Sequence, residues 1–170
     1  VVTTEAPAAT ATVVAPAEPV APAAATPKLD TGDTSWILIS TALVLLMTIP
    51  GLALFYGGMV RKKNVLSTMM FSLSAAILVS LIWVIAGYSL AFSGTGAYFG
   101  DLSKAMLNGV AFDALSGTIP ETLFVIFQMT FAIITVAIIS GSIADRMKYS
   151  AFMLFIAVWV IVVYTPITHW

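Results

Sequence analysis

The sequence has no cysteine, a single histidine and few charged residues. Without cysteine, the chain has no disulfide framework, iron–sulfur cluster, thiolate zinc site or thiol nucleophile. His169 alone supplies too few ligands for an all-protein metal site, and it is the one candidate for a nucleophilic triad that needs a histidine. We therefore expect no bound metal and no cofactor.

Charge is scarce in this chain. Charged residues make up 9% and hydrophobic residues 60% of the 170 residues, whereas roughly a quarter of an average soluble protein is charged. This composition excludes an ordinary soluble domain. The net charge is -1, and no basic stretch is long enough to follow a phosphate backbone, so nucleic acid is not an expected partner.

The spacing of the charges divides the chain into segments. Each Lys, Arg or Asp at the centre of a membrane helix costs about 2.5–3.5 kcal/mol, so long uncharged stretches are candidate spans. Four such stretches cover about residues 36–60, 65–92, 121–144 and 149–169. The sequence therefore predicts an all-α polytopic membrane protein, a transmembrane helix bundle whose surroundings are a lipid bilayer.

The basic residues predict the orientation of this bundle. Five of the seven lie in the two short links between spans, as Arg61–Lys63 and as Arg146 and Lys148. Basic links face the cytoplasm, which places the N-terminus and the long loop 93–120 outside. We expect a multi-pass protein of the cell membrane, inner or plasma, with its N-terminus outside. Asp145 and Arg146 are expected to form an ion pair at a helix end.

The N-terminal residues differ from the rest of the chain. Residues 1–30 contain ten alanines and five prolines and show no apolar periodicity. Such a segment buries too little surface to offset its chain entropy, so residues 1–34 are predicted to form a disordered outer tail and residues 35–170 a membrane domain. The chain begins with Val1 and stops at Trp170 inside an apolar run, and we interpret it as a fragment.

Prolines and tryptophans mark particular places within the spans. Pro50 and Pro166 each free a backbone carbonyl and are expected to kink a helix, either as a packing feature or as part of function. Trp36, Trp83 and Trp159 fit interfacial belts or bundle packing better than a cofactor stack.

One long stretch, residues 41–67, reads TALVLLMTIPGLALFYGGMVRKKNVLS. It resembles the first span and first cytoplasmic turn of the ammonium transporter family, which includes the Mep and Rhesus-type proteins. LIWVIAGYSLAF, FQMTFAIITVAIISGSIADR and the final YTPITHW agree with the same family in order and spacing. The resemblance implies the first four helices of an eleven-helix fold, a homotrimer with one apolar pore per subunit, and contact with a cytoplasmic PII-type regulator.

The resemblance also implies a site. Phe131 matches the outer gating phenylalanine, and Phe127 and Tyr164 match the aromatic lining of the external recruitment site. Phe127 and Phe131 are spaced i,i+4 and so project from one helix face, although that spacing alone is typical of bulk apolar surface. The paired pore histidines of the family belong to later spans, so we interpret His169 as an interfacial or capping residue. Trp170 does not match the recruitment-site tryptophan.

The function implied by the resemblance is ammonium transport. The cation is collected at an outer aromatic site, loses its proton and passes through an apolar pore as ammonia, while the proton moves separately. We expect the 170 residues alone to be inactive. The alternative is an ammonium-sensing domain of a membrane signalling protein, which sequence beyond Trp170 would distinguish. An enzyme is not expected, because the spans hold no paired carboxylates and no nucleophile–histidine pair.

Overall fold

The computed structural model of the chain describes residues 28–143 and 146–170. Within these residues, four helices are long and apolar enough to cross a membrane: α1 (Thr31–Met59), α2 (Lys62–Phe92), α3 (Glu121–Ile143) and α4 (Tyr149–His169). The predicted transmembrane helix bundle is therefore confirmed. Most of the predicted tail lies outside the described residues, as does Asp145 of the expected ion pair with Arg146.

The helix α1 begins in a polar turn ahead of the first apolar stretch. Asp30 is its N-cap residue, and its side chain accepts a hydrogen bond of 3.0 Å from the backbone N–H of Asp33. The Thr34 hydroxyl donates to the Asp30 carbonyl oxygen at 2.6 Å. A short acceptor side chain at this position satisfies a donor that the helix itself leaves free, and it sets where the helix starts.

Several of the membrane helices are not regular throughout. A π-helical turn interrupts α1 at Met47–Leu52, α2 at Trp83–Gly87 and α4 at Val160–Tyr164. Pro50, which has no N–H to donate, lies within the first turn, and Pro166 lies in the α-helical segment directly after the third. Two prolines thus lie where the regular helical hydrogen bonding changes, and such π turns are frequent at functional sites.

The core of the bundle lies where α2 packs against α3 and α4. Its buried side chains are Phe71, Ala75, Ala76, Val79, Trp83, Tyr88, Ala91, Val125, Ala132, Ile133, Val136, Phe152, Ile156 and Val160. Small side chains let α2 and α3 approach, and the hydroxyl oxygens of Ser72 and Ser140 lie 3.4 Å apart. Close packing in lipid replaces the hydrophobic effect that would hold helices together in water.

α1 packs against α3 through a tyrosine and a glycine. The Tyr56 hydroxyl donates to the carbonyl oxygen of Ile138 at 3.2 Å. A Cβ atom at Gly141 would lie only 2.2 Å from the Tyr56 ring. A residue with a Cβ atom therefore fits at this position only if the Tyr56 ring moves.

The long loop 93–120 is held against one end of the bundle. It contains a short antiparallel hairpin, β1 (Leu115–Ser116) paired with β2 (Ile119–Pro120), which departs from a purely α-helical fold. The Asp30 N–H donates to the Thr118 carbonyl oxygen at 2.9 Å, and the Ser89 hydroxyl donates to the Asp101 carbonyl oxygen at 2.7 Å. The loop, the start of α1 and the end of α2 therefore lie together, and the basic links lie at the opposite end.

Candidate functional site

Phe127 and Phe131 lie one turn apart on α3. Their rings meet edge to face, with centroids 5.0 Å apart and planes at 84°. Phe127 is half-buried, whereas Phe131 is 38% exposed. The face of an aromatic ring carries negative charge density and attracts a cation, so this pair offers a suitable surface for a partly desolvated cation.

Phe127 also lines a cavity of about 440 Å³ between α1, α3 and the hairpin. The other lining residues are Asp33, Trp36, Ile37, Ser116, Gly117, Thr118, Ile119 and Phe124. The Asp33 carboxylate at this cavity accepts a hydrogen bond of 2.5 Å from the Thr118 hydroxyl. Aromatic rings and one carboxylate thus face the same space, and Phe131 and Tyr164 lie outside this lining.

Tyr164 belongs to a second aromatic group. It is half-buried on α4, at the end of the π-helical turn, and its ring contacts Trp83 at 6.1 Å and Trp159 at 6.5 Å between centroids. In the described part of the chain, no ring contact joins Tyr164 to Phe127 or Phe131. Two of the three residues predicted to form the site are thus in contact, and the third lies on another helix.

Trp83 connects Tyr164 to α3, the helix that carries Phe127 and Phe131. Its side chain is fully buried, and its indole N–H donates to the carbonyl oxygen of Val125 at 3.2 Å. Val125 precedes Phe127 by two residues on α3, while the indole ring contacts Tyr164 on α4. Of the two alternatives considered for Trp83, bundle packing is the one observed, because an interfacial belt residue would be exposed.

A partly buried ion pair lies next to Tyr88, whose ring contacts Trp83. Glu121, the first residue of α3, is only 8% exposed and pairs with the ammonium group of Lys104. The Tyr88 hydroxyl donates to the same carboxylate oxygen at 2.8 Å, and Lys104 Nζ lies 5.9 Å from the centre of the Tyr88 ring. A carboxylate and an aromatic ring together thus hold one ammonium group.

This ion pair was not predicted from the sequence. Glu121 is separated from Tyr88 by 33 positions and from Lys104 by 17, so no local periodicity relates them. The one hint in the sequence was the position of Lys104, a basic residue that lies in the long loop and not in the two basic links.

His169 bridges two backbone segments. Its Nδ1 lies 3.0 Å from the carbonyl oxygen of Ala91, and its Nε2 lies 2.9 Å from that of Gly96. These contacts join the end of α4 to the end of α2 and to the loop, as a capping residue would. Within residues 28–143 and 146–170, the histidine and acidic side chains form no group of three that could hold a metal ion.

Comparison with known proteins extends these observations. A sequence profile of the Ammonium Transporter Family matches residues 35–170. The ammonium transporter of Bacillus subtilis strain 168 is 55% identical over 141 residues, which are 82% of this chain and 35% of that protein. Ammonium transporter Amt1 of Archaeoglobus fulgidus is 42% identical over 140 residues, 82% of this chain and 34% of that protein.

The fold agrees with a solved structure. The crystal structure of Mep2 from Candida albicans matches with a TM-score of 0.76 and 36% identity, over 84% of this chain and 32% of that one. The chain spans about a third of the length of the relatives it matches. Because the profile covers most of the chain and both sequence and fold agree over that length, the chain belongs to the ammonium transporter family.

Proposed function

We propose that this protein carries ammonium across a membrane, recruiting the cation at an outer aromatic site formed by Phe127, Phe131 and Tyr164. Membership of the ammonium transporter family, over residues 35–170, is the observation that carries the proposal. The site residues rest on the resemblance, together with the edge-to-face contact of the two phenylalanines.

The proposed chemistry of passage rests on the apolar pore that the family resemblance implies, and the apolar character of the helices agrees with it. The four candidate spans in the described residues have mean hydropathies between 2.2 and 2.4. Moving a small cation from water into such a medium costs about 20 kcal/mol by an idealised Born estimate. Ammonia is neutral and escapes this cost. We therefore propose that ammonium loses its proton at the outer site, that ammonia crosses an apolar pore, and that the proton moves separately.

The aromatic site suits a cation that must be bound and then released. An aromatic face attracts a desolvated cation by about 2 kcal/mol, without a counter-charge that would trap it. Lys104 provides a contrast in the same molecule, because its ammonium group lies near the Tyr88 ring but is also held by the Glu121 carboxylate. The Phe131 ring offers the weaker attraction alone, since it lies outside the cavity that Phe127 shares with the Asp33 carboxylate. The Tyr164 hydroxyl adds a polar group that can orient the cation.

The test measures the uptake of ammonium and methylammonium by cells that lack their own ammonium transporters. These cells express the complete reading frame containing this chain. Phe131→Ala removes an aromatic face, and we expect the KM for methylammonium uptake to rise about two- to thirtyfold, equivalent to about 0.5–2 kcal/mol. Phe155→Ala is the matched control, because Phe155 on α4 is 37% exposed and Phe131 is 38% exposed.

Each outcome of this test has a distinct meaning. If the wild-type protein takes up neither ammonium nor methylammonium, transport is refuted. If it binds ammonium without taking it up, the sensing alternative is favoured. If Phe131→Ala behaves like Phe155→Ala, the aromatic site is wrong even though transport stands. Expressed alone, the 170 residues should give no uptake, and measurable uptake would contradict this.

We also propose an outside N-terminus, a homotrimer and a cytoplasmic face that contacts a PII-type regulator. The orientation is supported by Arg61–Lys63, which lie at the end of the bundle opposite the loop 93–120. A cysteine introduced at Ser103 should react with an impermeant thiol reagent on intact cells, and one at Lys62 should not. The reverse pattern would overturn the orientation. The mass of the purified complex tests the homotrimer, and its mass in the presence of the PII-type regulator tests the contact with that protein.

A further inference from the structure

We propose that Trp83 is a positioning residue for the outer aromatic site, holding Tyr164 in place relative to the helix that carries Phe127 and Phe131. The inference rests on the proposed function, because Trp83 acts on the substrate through Tyr164 and does not touch it.

Trp83 is fixed to α3 by a buried hydrogen bond. The indole side chain has no exposed surface, and its N–H donates to the Val125 carbonyl oxygen at 3.2 Å. An indole N–H that loses its partner in an apolar interior is costly, so the ring is strongly held in this orientation. Val125 lies two residues before Phe127, which ties the indole to the outer half of α3.

The indole ring also contacts the ring of Tyr164. The two rings meet edge to face, with centroids 6.1 Å apart and planes at 64°. Tyr164 also contacts Trp159, but that residue lies on the same helix. Among the described residues, Trp83 therefore supplies the ring contact that reaches Tyr164 from another helix and sets its position relative to α2 and α3.

Both partners lie in irregular helical turns. Trp83 opens the π-helical turn Trp83–Gly87 of α2, and Tyr164 closes the π-helical turn Val160–Tyr164 of α4. A π turn changes the angular position of the side chains on its helix, so the direction of each ring depends on a local departure from the α-helix. That two such turns meet at one ring contact supports a positioning role over generic packing.

Gly87 provides a way to move Trp83 without removing any part of it. A Cβ atom at Gly87 would lie 3.0 Å from the Cε3 atom of the indole, which is tighter than ordinary van der Waals contact. Gly87→Ala should therefore displace the indole by a few tenths of an ångström.

The experiment uses the complete reading frame in transporter-deficient cells, with Trp83→Phe and Gly87→Ala as the variants. Trp83→Phe keeps an aromatic ring but removes the N–H and the second ring. For both variants we expect the KM for methylammonium uptake to rise about two- to tenfold, the size of one lost edge-to-face contact, with little change in the maximal rate per folded protein.

Phe71→Leu is the control. Phe71 is a buried aromatic residue of the same helix, but its ring contacts are with Tyr149 and Phe152 at the other end of the bundle. Its replacement should lower the amount of folded protein and leave KM unchanged. A Tyr164→Ala background gives a second control, because there Trp83→Phe should produce no further change in KM.

A readout that does not depend on transport separates this inference from the proposed function. In purified protein labelled with 3-fluorotyrosine at position 164, the fluorine resonance should shift in Trp83→Phe and Gly87→Ala but not in Phe71→Leu. An unmoved resonance, or a KM change equal to that of Phe71→Leu, overturns the positioning role. If the wild type takes up no ammonium, the proposed function fails, and the fluorine signal then decides only whether Trp83 fixes the ring of Tyr164. If Trp83→Phe does not fold, Gly87→Ala carries both measurements.

Discussion

Replacing Lys104 by methionine should destabilise the bundle, because it leaves the Glu121 carboxylate with only part of its present support. The carboxylate lies at the first residue of α3, and its side chain is 10% exposed. It accepts a hydrogen bond from the Tyr88 hydroxyl at 2.8 Å and pairs with the ammonium group of Lys104. Methionine keeps an apolar stem of similar length and removes the charge.

The expected loss in the free energy of unfolding lies between the values measured for surface ion pairs and for buried ion pairs. Breaking a deeply buried pair costs about 3–5 kcal/mol, while an exposed pair contributes about 0–1 kcal/mol. Glu121 is close to the buried limit, but the Lys104 side chain is 34% exposed and is partly screened by water. We therefore expect Lys104→Met to lower the free energy of unfolding by about 1–3 kcal/mol. Glu121→Gln should cost less, about 1 kcal/mol, because an unpaired Lys104 can turn towards solvent.

The assay is denaturant unfolding of the purified protein in detergent micelles, followed by tryptophan fluorescence. Lys62→Met is the control, because Lys62 is exposed and its loss should change stability by less than about 0.5 kcal/mol. The double variant Lys104→Met/Glu121→Gln should be more stable than the sum of the single effects predicts, since no buried charge is left unpaired. Two results would refute this reasoning: Lys104→Met as stable as Lys62→Met, or strictly additive effects in the double variant.

Two further predictions concern a helix contact and a loop carboxyl. Gly141→Ala places a Cβ atom 2.2 Å from the Tyr56 ring and should destabilise the protein by about 1–3 kcal/mol in thermal unfolding. The cost should shrink in a Tyr56→Ala background, and an equal cost in both backgrounds would contradict the clash. The hydroxyl and the backbone N–H of Ser103 donate to the Asp101 carboxylate at 2.5 and 3.0 Å and hold its pKa below the ordinary value. The hydrogen bonds to the ionised Asp101 carboxylate therefore stabilise the folded state at pH values above the pKa of this group in the unfolded chain, about 3.9. That stabilisation is lost as the pH falls through the lower pKa of the folded state. Ser103→Ala should raise the pKa of Asp101 towards the ordinary value in a carbon-13 NMR titration of the carboxyl group, and an unmoved pKa would count against it.

Much of the architecture was predictable from the sequence because the free-energy cost of placing a residue in a bilayer depends mainly on the charge and polarity of that residue. The charges mark where the apolar part of a span cannot continue, and the charged residues of the four helices lie in their first turns, as Asp33 does in α1 and Lys62 in α2. The contact between Phe127 and Phe131 was also predictable, since i,i+4 neighbours meet on any helix. The position of the π turn Trp83–Gly87 was not, because no proline marks it and its hydrogen bonding depends on the packing around it.

What the sequence by itself determined is therefore the helix bundle and, through its resemblance, the family. Only the tertiary structure decided which residues far apart in the chain meet: Trp83 with Tyr164, Lys104 of the loop with Glu121, and His169 with the end of α2. The physical reason lies in the range of the interactions. Insertion into lipid and i,i+4 contacts depend on residues close in sequence, whereas these pairs form only when helices and a loop far apart in the chain pack together.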